Sequence, residues 1–329
     1  MNQIRPNIFK EKNSRSMKRI VVFVFLIISI GINGQNNASV PTLQGAQQDF
    51  SFVFMTDIHL QPERGAQEAF QKVIDTVNKL NVDFVITGGD LVYDVLRGNF
   101  NRSDSLFHTY SNTIKKFNVP VYNTIGNHEL FGIYKESDIQ ANHPDYKYGM
   151  YERYLGKRYY SFDHKGWHFI SLCSIDEKEK KYIGIIDKEQ LEWLKKDISQ
   201  VDVNTPIVIS THIPFISTYD QRYPKNKVKE VPNELWIYNR NEILQLFDNL
   251  DLRLVLQGHM HWIEEINIQN KTRFITGGSV AGRPSWRRTL DRGDGIHYDE
   301  EGFMLLHVKN DSISWKYIDN KWESQLSPR

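Results

Sequence analysis

Apolar residues follow two rhythms along this chain. Short β-branched and aromatic runs at residues 50–55, 84–87, 119–124, 167–172, 207–210 and 252–256 are bounded by polar or turn-forming positions, and each predicts a buried strand. Between the first two, Phe70, Val73, Ile74 and Val77 recur at helical spacing and predict a helix over 68–80. Residues 103–117, 188–198 and 239–250 repeat that period. Strands alternating with helices define an α/β chain, in which crossover helices cover a largely parallel sheet. The last third changes character. Residues 263–268, 272–276, 302–308 and 312–318 read as successive strands with short turns and predict a second sheet, mixed or antiparallel, giving an α+β element to the class. No internal repeat or low-complexity linker interrupts residues 35–329, so one domain is expected there.

Residues 1–34 are a different kind of segment. They hold six basic residues and one acid, and after Lys18-Arg19 an apolar stretch runs from 20 to 30, broken only by Ser29. That stretch is too short to span a hydrocarbon core of about 30 Å as a helix, but it suits the core of a signal peptide. Gly31-Ile32-Asn33-Gly34-Gln35 offers small and polar residues for cleavage after Gly34, and Met17 offers a second start with a compact basic region. The expected location is periplasmic or secreted, with no stable membrane span after cleavage. An uncleaved N-terminal anchor is the alternative.

Charge and cysteine content narrow the classes. The 329 residues carry 41 Lys+Arg against 40 Asp+Glu; beyond residue 34 the balance is 35 to 39, a net charge of about −4. A mildly acidic body with no long basic run argues against nucleic acid as a partner. The one cysteine, Cys173, excludes an intrachain disulfide framework and a thiolate-rich zinc site, and reads as a small buried hydrophobe.

Chemistry gathers where the strands end. In open α/β sheets, ligands bind outside the carboxyl ends of the strands. The residues following those ends are Asp57-Ile58-His59, Gly88-Gly89-Asp90, Gly126-Asn127-His128-Glu129, Thr211-His212 and Gly258-His259-Met260-His261. Any one of these motifs alone fits a structural histidine or carboxylate. Five in order, each after a strand, point to a metal site built of imidazole and oxygen donors, which suits manganese, zinc or iron. The neighbouring glycines allow the sharp turns that bring short side chains to one point.

This ordered set resembles the calcineurin-like metallophosphoesterase family. The resemblance implies a four-layer αββα sandwich with two mixed sheets and a dinuclear metal centre at the C-terminal edge of the strands. Carried over by residue, Asp57, His59 and His261 would hold one metal, Asn127, His212 and His259 the other, and Asp90 would bridge the two. The two divalent or trivalent ions would clamp a bridging hydroxide, the nucleophile, against a phosphoryl oxygen. His128, next in sequence to a ligand, is similar to the family's catalytic histidine and would protonate the leaving oxygen or stabilise charge. Glu129 would either orient that imidazole or form a surface salt bridge.

One feature departs from this pattern. Asp90-x-x-Tyr93 is similar to the purple acid phosphatase branch, where the tyrosine ligates ferric iron and no histidine stands at the place of His59. Here both residues are present; His59 is the expected ligand and Tyr93 is expected behind it or in the core. Substrate contacts are sought in three loops. Residues 131–160 carry seven tyrosines, read either as a self-packed loop or as a surface for an organic group. Residues 216–236 are polar and lysine-rich. Residues 277–297 include Arg283, Trp286 and Arg287, candidates for holding the phosphate and covering its substituent, or alternatively a solvated basic loop. The leading expectation is an exported phosphodiesterase acting on a small-molecule or lipid-headgroup phosphate ester. A phosphomonoesterase of acid-phosphatase type is the alternative, and a catalytically silent binding or scaffold protein of the same fold is a third reading.

Overall fold

The computed structural model describes residues 48–218, 232–282, 301–309 and 312–322. The segment 1–34, and Arg283, Trp286 and Arg287 within 283–300, lie outside the described residues. Among the described residues, no helix is long and apolar enough to cross a membrane.

Two large mixed sheets form the centre. The first comprises β1 (Phe50–Met55), β2 (Phe84–Gly88), β3 (Val121–Thr124), β12 (Gly302–Lys309) and β13 (Ser312–Asp319), in the order β13-β12-β1-β2-β3. The second comprises β4 (Tyr160–His164), β5 (Trp167–Ser171), β8 (Pro206–Ser210), β9 (Asp251–Gln257), β10 (Glu264–Ile268) and β11 (Thr272–Thr276), in the order β10-β11-β9-β8-β5-β4. A hairpin of β6 (Ile175–Lys178) and β7 (Lys181–Gly184) stands apart from both. The parallel strands run β1-β2-β3 in one sheet and β5-β8-β9-β11 in the other. Their carboxyl ends deliver the motifs.

Alternation along the strands explains the layering. In β1, Phe50, Phe52 and Phe54 point between the sheets, while Val53 and Met55 point outward. Phe52 stacks on Phe84 at 5.1 Å, and Phe84 meets Phe169 of the opposite sheet edge-on at 5.3 Å. Each such ring contributes about 1.5–3 kcal/mol by leaving water. The outward residues of the first sheet pack on α1 (Ala66–Val77) and α2 (Phe100–Ile114). Those of the second pack on α4 (Lys188–Ile198) and on α5 (Arg240–Gln245) with its following turn. A short α3 (Gly149–Leu155) adds Met150 and Tyr151 to the first outer core. The result is the four-layer αββα sandwich.

Several expectations shift in detail. α2 begins at Phe100 rather than 103 because Asn99 caps it, its Oδ1 accepting the Arg102 N–H at 2.9 Å. α5 ends at Gln245 rather than 250, and the chain continues in i→i+3 turns through Leu250. The four C-terminal strands do not form one sheet of their own: β10 and β11 extend the second sheet, while β12 and β13 complete the first beside β1. In β9 the register shifts so that Val208 pairs with Leu254 after Ile207 pairs with Leu252. This bulge turns Leu252 to the outer core and Leu254 to the core between the sheets.

The tyrosine-rich stretch 131–160 is tied by its hydroxyls to neighbouring elements of the fold. The Tyr151 and Tyr160 hydroxyls donate to the Asn123 carbonyl at 3.1 and 3.0 Å, and the Tyr148 hydroxyl to the Ile175 carbonyl at 2.7 Å. The Tyr154 hydroxyl donates to Asp104 at 2.8 Å.

His168, on the outward face of β5, lies between two carboxylates, 2.7 Å from Asp163 and 3.0 Å from Asp197. Burial opposes its charge, yet Asp197 and Asp163 outweigh burial and raise its pKa. A raised folded-state pKa adds stability that is fully present below the unfolded value near 6.5 and fades as pH rises through the folded value. Denaturation midpoints of wild type and H168N are therefore expected to differ more at pH 5.5 than at pH 8.5. A gap that widens with pH would contradict this.

Candidate metal centre

The loops after the strands are zipped to one another before any side chain is considered. Asp57 N donates to Gly89 O, His59 N to Asp90 O and Leu60 N to Leu91 O, at 2.8–3.0 Å, joining the loops after β1 and β2. Val280 N donates to Thr56 O at 3.1 Å, and Gly258 N to His212 O at 3.0 Å. Gly126 permits the closest approach, since a Cβ there would lie 2.1 Å from Asp90 N. The turns themselves are made largely by the polar residues. Asp57, His59, Asp90, His259 and His261 all hold left-handed φ, between 49° and 71°. Such conformations are costly in residues with a Cβ and persist only when the surroundings impose them.

The seven expected ligands come together. Asp57, His59, Asp90 and His261 offer donor atoms within 4.8 Å of one another, as do Asp90, His212 and His259, and all are buried. Asp90 belongs to both groups. Its Oδ1 lies 3.2 Å from His212 Nε2, and its Oδ2 lies 3.7 Å from His59 Nε2. Asn127 Oδ1 joins the second group, 3.0 Å from His212 Nε2. In the first, His59 Nε2 and His261 Nε2 are 3.0 Å apart, and His261 Nε2 is 3.0 Å from Asp57 Oδ1. That carboxylate oxygen is buried without a hydrogen bond. Lone pairs crowded at this distance fit a shared cation, and the mixture of nitrogen and hard oxygen without thiolate fits the metals expected.

Neighbouring groups fix the donors. His212 Nδ1 donates to the Gly88 carbonyl at 2.7 Å, which leaves Nε2 as the free lone pair for a metal. Asp57 Oδ2 accepts from Thr56 Oγ1 at 2.8 Å and from His259 N at 3.1 Å. Burial, then the nearby His128, keeps the pKa of His59 well below its ordinary value, so its ring is neutral. Burial works against the charge of Asp90, but His212, His128 and His59 hold its carboxyl well below the usual range. His212 is pushed up to about 9, Asp90 overcoming the effect of burial, so a cation entering there displaces a proton.

His128 presents a ring nitrogen to the centre. Its Nδ1 accepts the Asp94 N–H at 2.8 Å, so the neutral ring carries its proton on Nε2. That atom faces the centre, 3.9 Å from Asp90 Oδ2, and the side chain is 20% exposed where the ligand side chains are 8% or less in Asp57, His59, Asp90, His212 and His261. Glu129 does not touch that imidazole and makes no surface salt bridge. Its Oε2 accepts from Asp90 N and Gly126 N at 2.9 and 2.7 Å, and its Oε1 from Leu91 N and Val92 N at 2.8 and 3.1 Å. Burial and Asp90 push its pKa up to about 8, while the backbone donors pull the other way. Tyr93 is half-buried, its ring 5.9 Å from that of His59 and 5.4 Å from that of His128.

Residue spacing does not single out Thr56, Asp94, Ser279 or Tyr182. Thr56 holds the Asp57 carboxylate through its side chain, whereas Asp94 and Ser279 act through backbone groups, Ser279 Oγ donating to the Asp57 carbonyl at 2.8 Å. Tyr182 reaches the centre from the β6–β7 hairpin, meeting the His259 ring edge-on at 6.1 Å.

The family model for calcineurin-like phosphoesterases matches residues 50–262, more than half of the chain. The chain belongs to that family. It is accordingly a phosphoric ester hydrolase with the family's dinuclear centre. Among calcineurin-like relatives, purple acid phosphatase 7 of Arabidopsis thaliana is 24% identical over 258 residues, 73% of this chain and 74% of the relative. Two solved structures share the calcineurin-like fold. Purple acid phosphatase PPD1 from yellow lupin (Lupinus luteus) seeds aligns with a TM-score of 0.58 at 16% identity, over 84% of this chain and 53% of that one. A dimetal phosphatase from Danio rerio aligns at 0.57 and 15% identity, over 84% and 97%.

Removing the Glu129 carboxylate orphans four buried N–H groups, each worth about 1–3 kcal/mol when unsatisfied. E129A is expected to lose about 3–5 kcal/mol in urea unfolding and to bind less metal, whereas a loss below about 1 kcal/mol would show that the loops hold without it.

Proposed function

We propose that this chain is an exported phosphodiesterase in which Asp57, His59 and His261 hold one ion, Asn127, His212 and His259 a second, and Asp90 both. The observation that carries the dinuclear reading is Asp90, whose two oxygens face two different buried donor groups. When bound, the metal pair supplies the nucleophile and withdraws charge from the phosphoryl group. His128 Nε2–H hydrogen-bonds the departing ester oxygen, stabilises the charge developing on it and eases its protonation, and the Asp94 N–H holds the ring in the required tautomer.

The centre lies between two tyrosine rings, Tyr93 beside His128 and Tyr182 beside His259. A diester has two organic substituents, and this arrangement would receive one on each flank. His59 within the first donor group supports a divalent pair of manganese, zinc or iron, with Tyr93 packed behind it. Similarity to a purple acid phosphatase favours a second reading, a phosphomonoesterase, in which Tyr93 would turn to a ferric ion.

The protein, freed of metal and reloaded with manganese, zinc or iron, is expected to hydrolyse bis-p-nitrophenyl phosphate faster than p-nitrophenyl phosphate. Preference for the monoester with a visible absorption band selects the second reading. D90A is expected to lose bound metal and nearly all turnover. H128A is expected to keep its metal and to turn over about 10²–10⁴ times more slowly, with the greater loss on poor leaving groups; equal losses on good and poor leaving groups would remove His128 from the acid role. Export through residues 1–34 is checked by N-terminal sequencing of the protein from its producing cells, which should begin at Gln35. An N-terminus at Met1 or Met17 would favour the anchored form.

A further inference from the structure

Arg64 stands one ring away from His128. It ends the 3-10 turn Pro62–Arg64 after β1, just before Gly65 takes a left-handed φ of 68° and α1 begins. Its guanidinium carbon lies over the Tyr93 ring, 5.3 Å from the centroid. Since that ring is itself 5.4 Å from His128, the three residues form a continuous strip leading away from the centre.

The strip is pre-set by its loops. Tyr93 N donates to Leu60 O at 3.2 Å, so the segments bearing Tyr93 and Arg64 are joined. Glu63, next to Arg64, is gripped by Arg102 of α2 through both carboxylate oxygens. Arg97 is likewise engaged by Asp94 and lies near Glu136. Arg64 differs from both neighbours: among the described residues no hydrogen bond or salt bridge claims its guanidinium, which feels the charge of the adjacent Glu63 and lies on the Tyr93 ring. A guanidinium laid on an aromatic ring keeps its N–H fork available for an anion.

We propose that Arg64 and Tyr93 form a leaving-group subsite that selects leaving groups carrying their own negative charge, a carboxylate or a second phosphate. This rests on the reading of His128 as the acid. The P–O bond breaks with its electron pair going to the leaving oxygen, which His128 Nε2–H hydrogen-bonds while it takes up a proton released by the attacking water, and the oxygen of that water replaces it on phosphorus. The leaving group consequently departs on the His128 side, where it meets Tyr93 and then Arg64. A neutral leaving group gains only the ring contact, whereas an anionic one also gains a charge-assisted, bidentate pair.

The full-length protein with manganese is tested on phenyl and 4-carboxyphenyl esters of phosphate, each as monoester and diester. Wild type is expected to favour the carboxylated leaving group in kcat/KM by about tenfold or more, the scale of a hydrogen-bonded charge pair. That ratio should fall to near one in R64A, fall below one in R64E and survive in part in R64K, with melting curves checking that each variant folds. A wild-type ratio near one, or a ratio unchanged in R64A, overturns the subsite. Calorimetric binding of phenylphosphonate and 4-carboxyphenylphosphonate separates the two levels of the argument. If no ester is turned over but the carboxylated analogue binds about tenfold tighter only when Arg64 is present, the hydrolase mechanism fails and the anion subsite stands. Equal affinities overturn the subsite whatever the turnover.

Discussion

The buried carboxylate of Glu129 underlies the centre without facing a metal. A strand can carry a ligand to its end, but it cannot hold the loop beyond that end against its neighbour. Glu129 does so for the loops after β2 and β3, taking N–H groups from Gly126, Asp90, Leu91 and Val92. Those donors have no ladder to join, and their burial would be costly without this acceptor. With them fixed, the Asp90 side chain is aimed between the two histidine groups, and the His128 N–H reaches Asp90 Oδ1 at 2.9 Å. The two donor groups and His128 are thereby parts of one hydrogen-bonded body.

That body is strained where it is most useful. Five of the residues in the two donor groups hold left-handed backbone without being glycine. The conformation points a short side chain back over the strand end, and the two aromatic-filled sheets beneath supply the rigidity that keeps it there. Stability is thus concentrated between the sheets and spent at their edge.

The features readable from sequence were those that depend on local order. A short apolar run followed by Gly or Thr and then a polar residue marks a strand end, and that order alone points to Asp57, Asp90, Asn127, His212 and His259. The helix over 188–198 was equally plain from its period. The start of α2 was legible too, through the capping side chain of Asn99, had the cap been weighed above the apolar spacing. Other features depend on distance in the chain. Glu129 acts on the backbone of residues some 37–39 positions away, and no side-chain pattern records such a partner. The bulge at Arg253 reverses which leucines face inward, although the letters of β9 alternate regularly. Tyr182 sits in a lysine-rich segment whose composition resembles a solvated loop, and only the fold of the hairpin carries it to His259.

The pairing of β1 with β12 bears on how the molecule comes into being. Phe50 of the strand that leads into Asp57 and His59 is registered against Val308, and β13 then closes the edge. During synthesis, β1 can find β2 early, but its other edge stays open until β12, about 250 residues later, has been made. Contacts of such long separation form late, and an apolar edge left waiting is prone to pair with another chain. His259 and His261 follow the other strand-end motifs, so a fragment that stops before β9 lacks a histidine from each donor group. Completion of the two groups waits on the same second half of the chain that closes the first sheet.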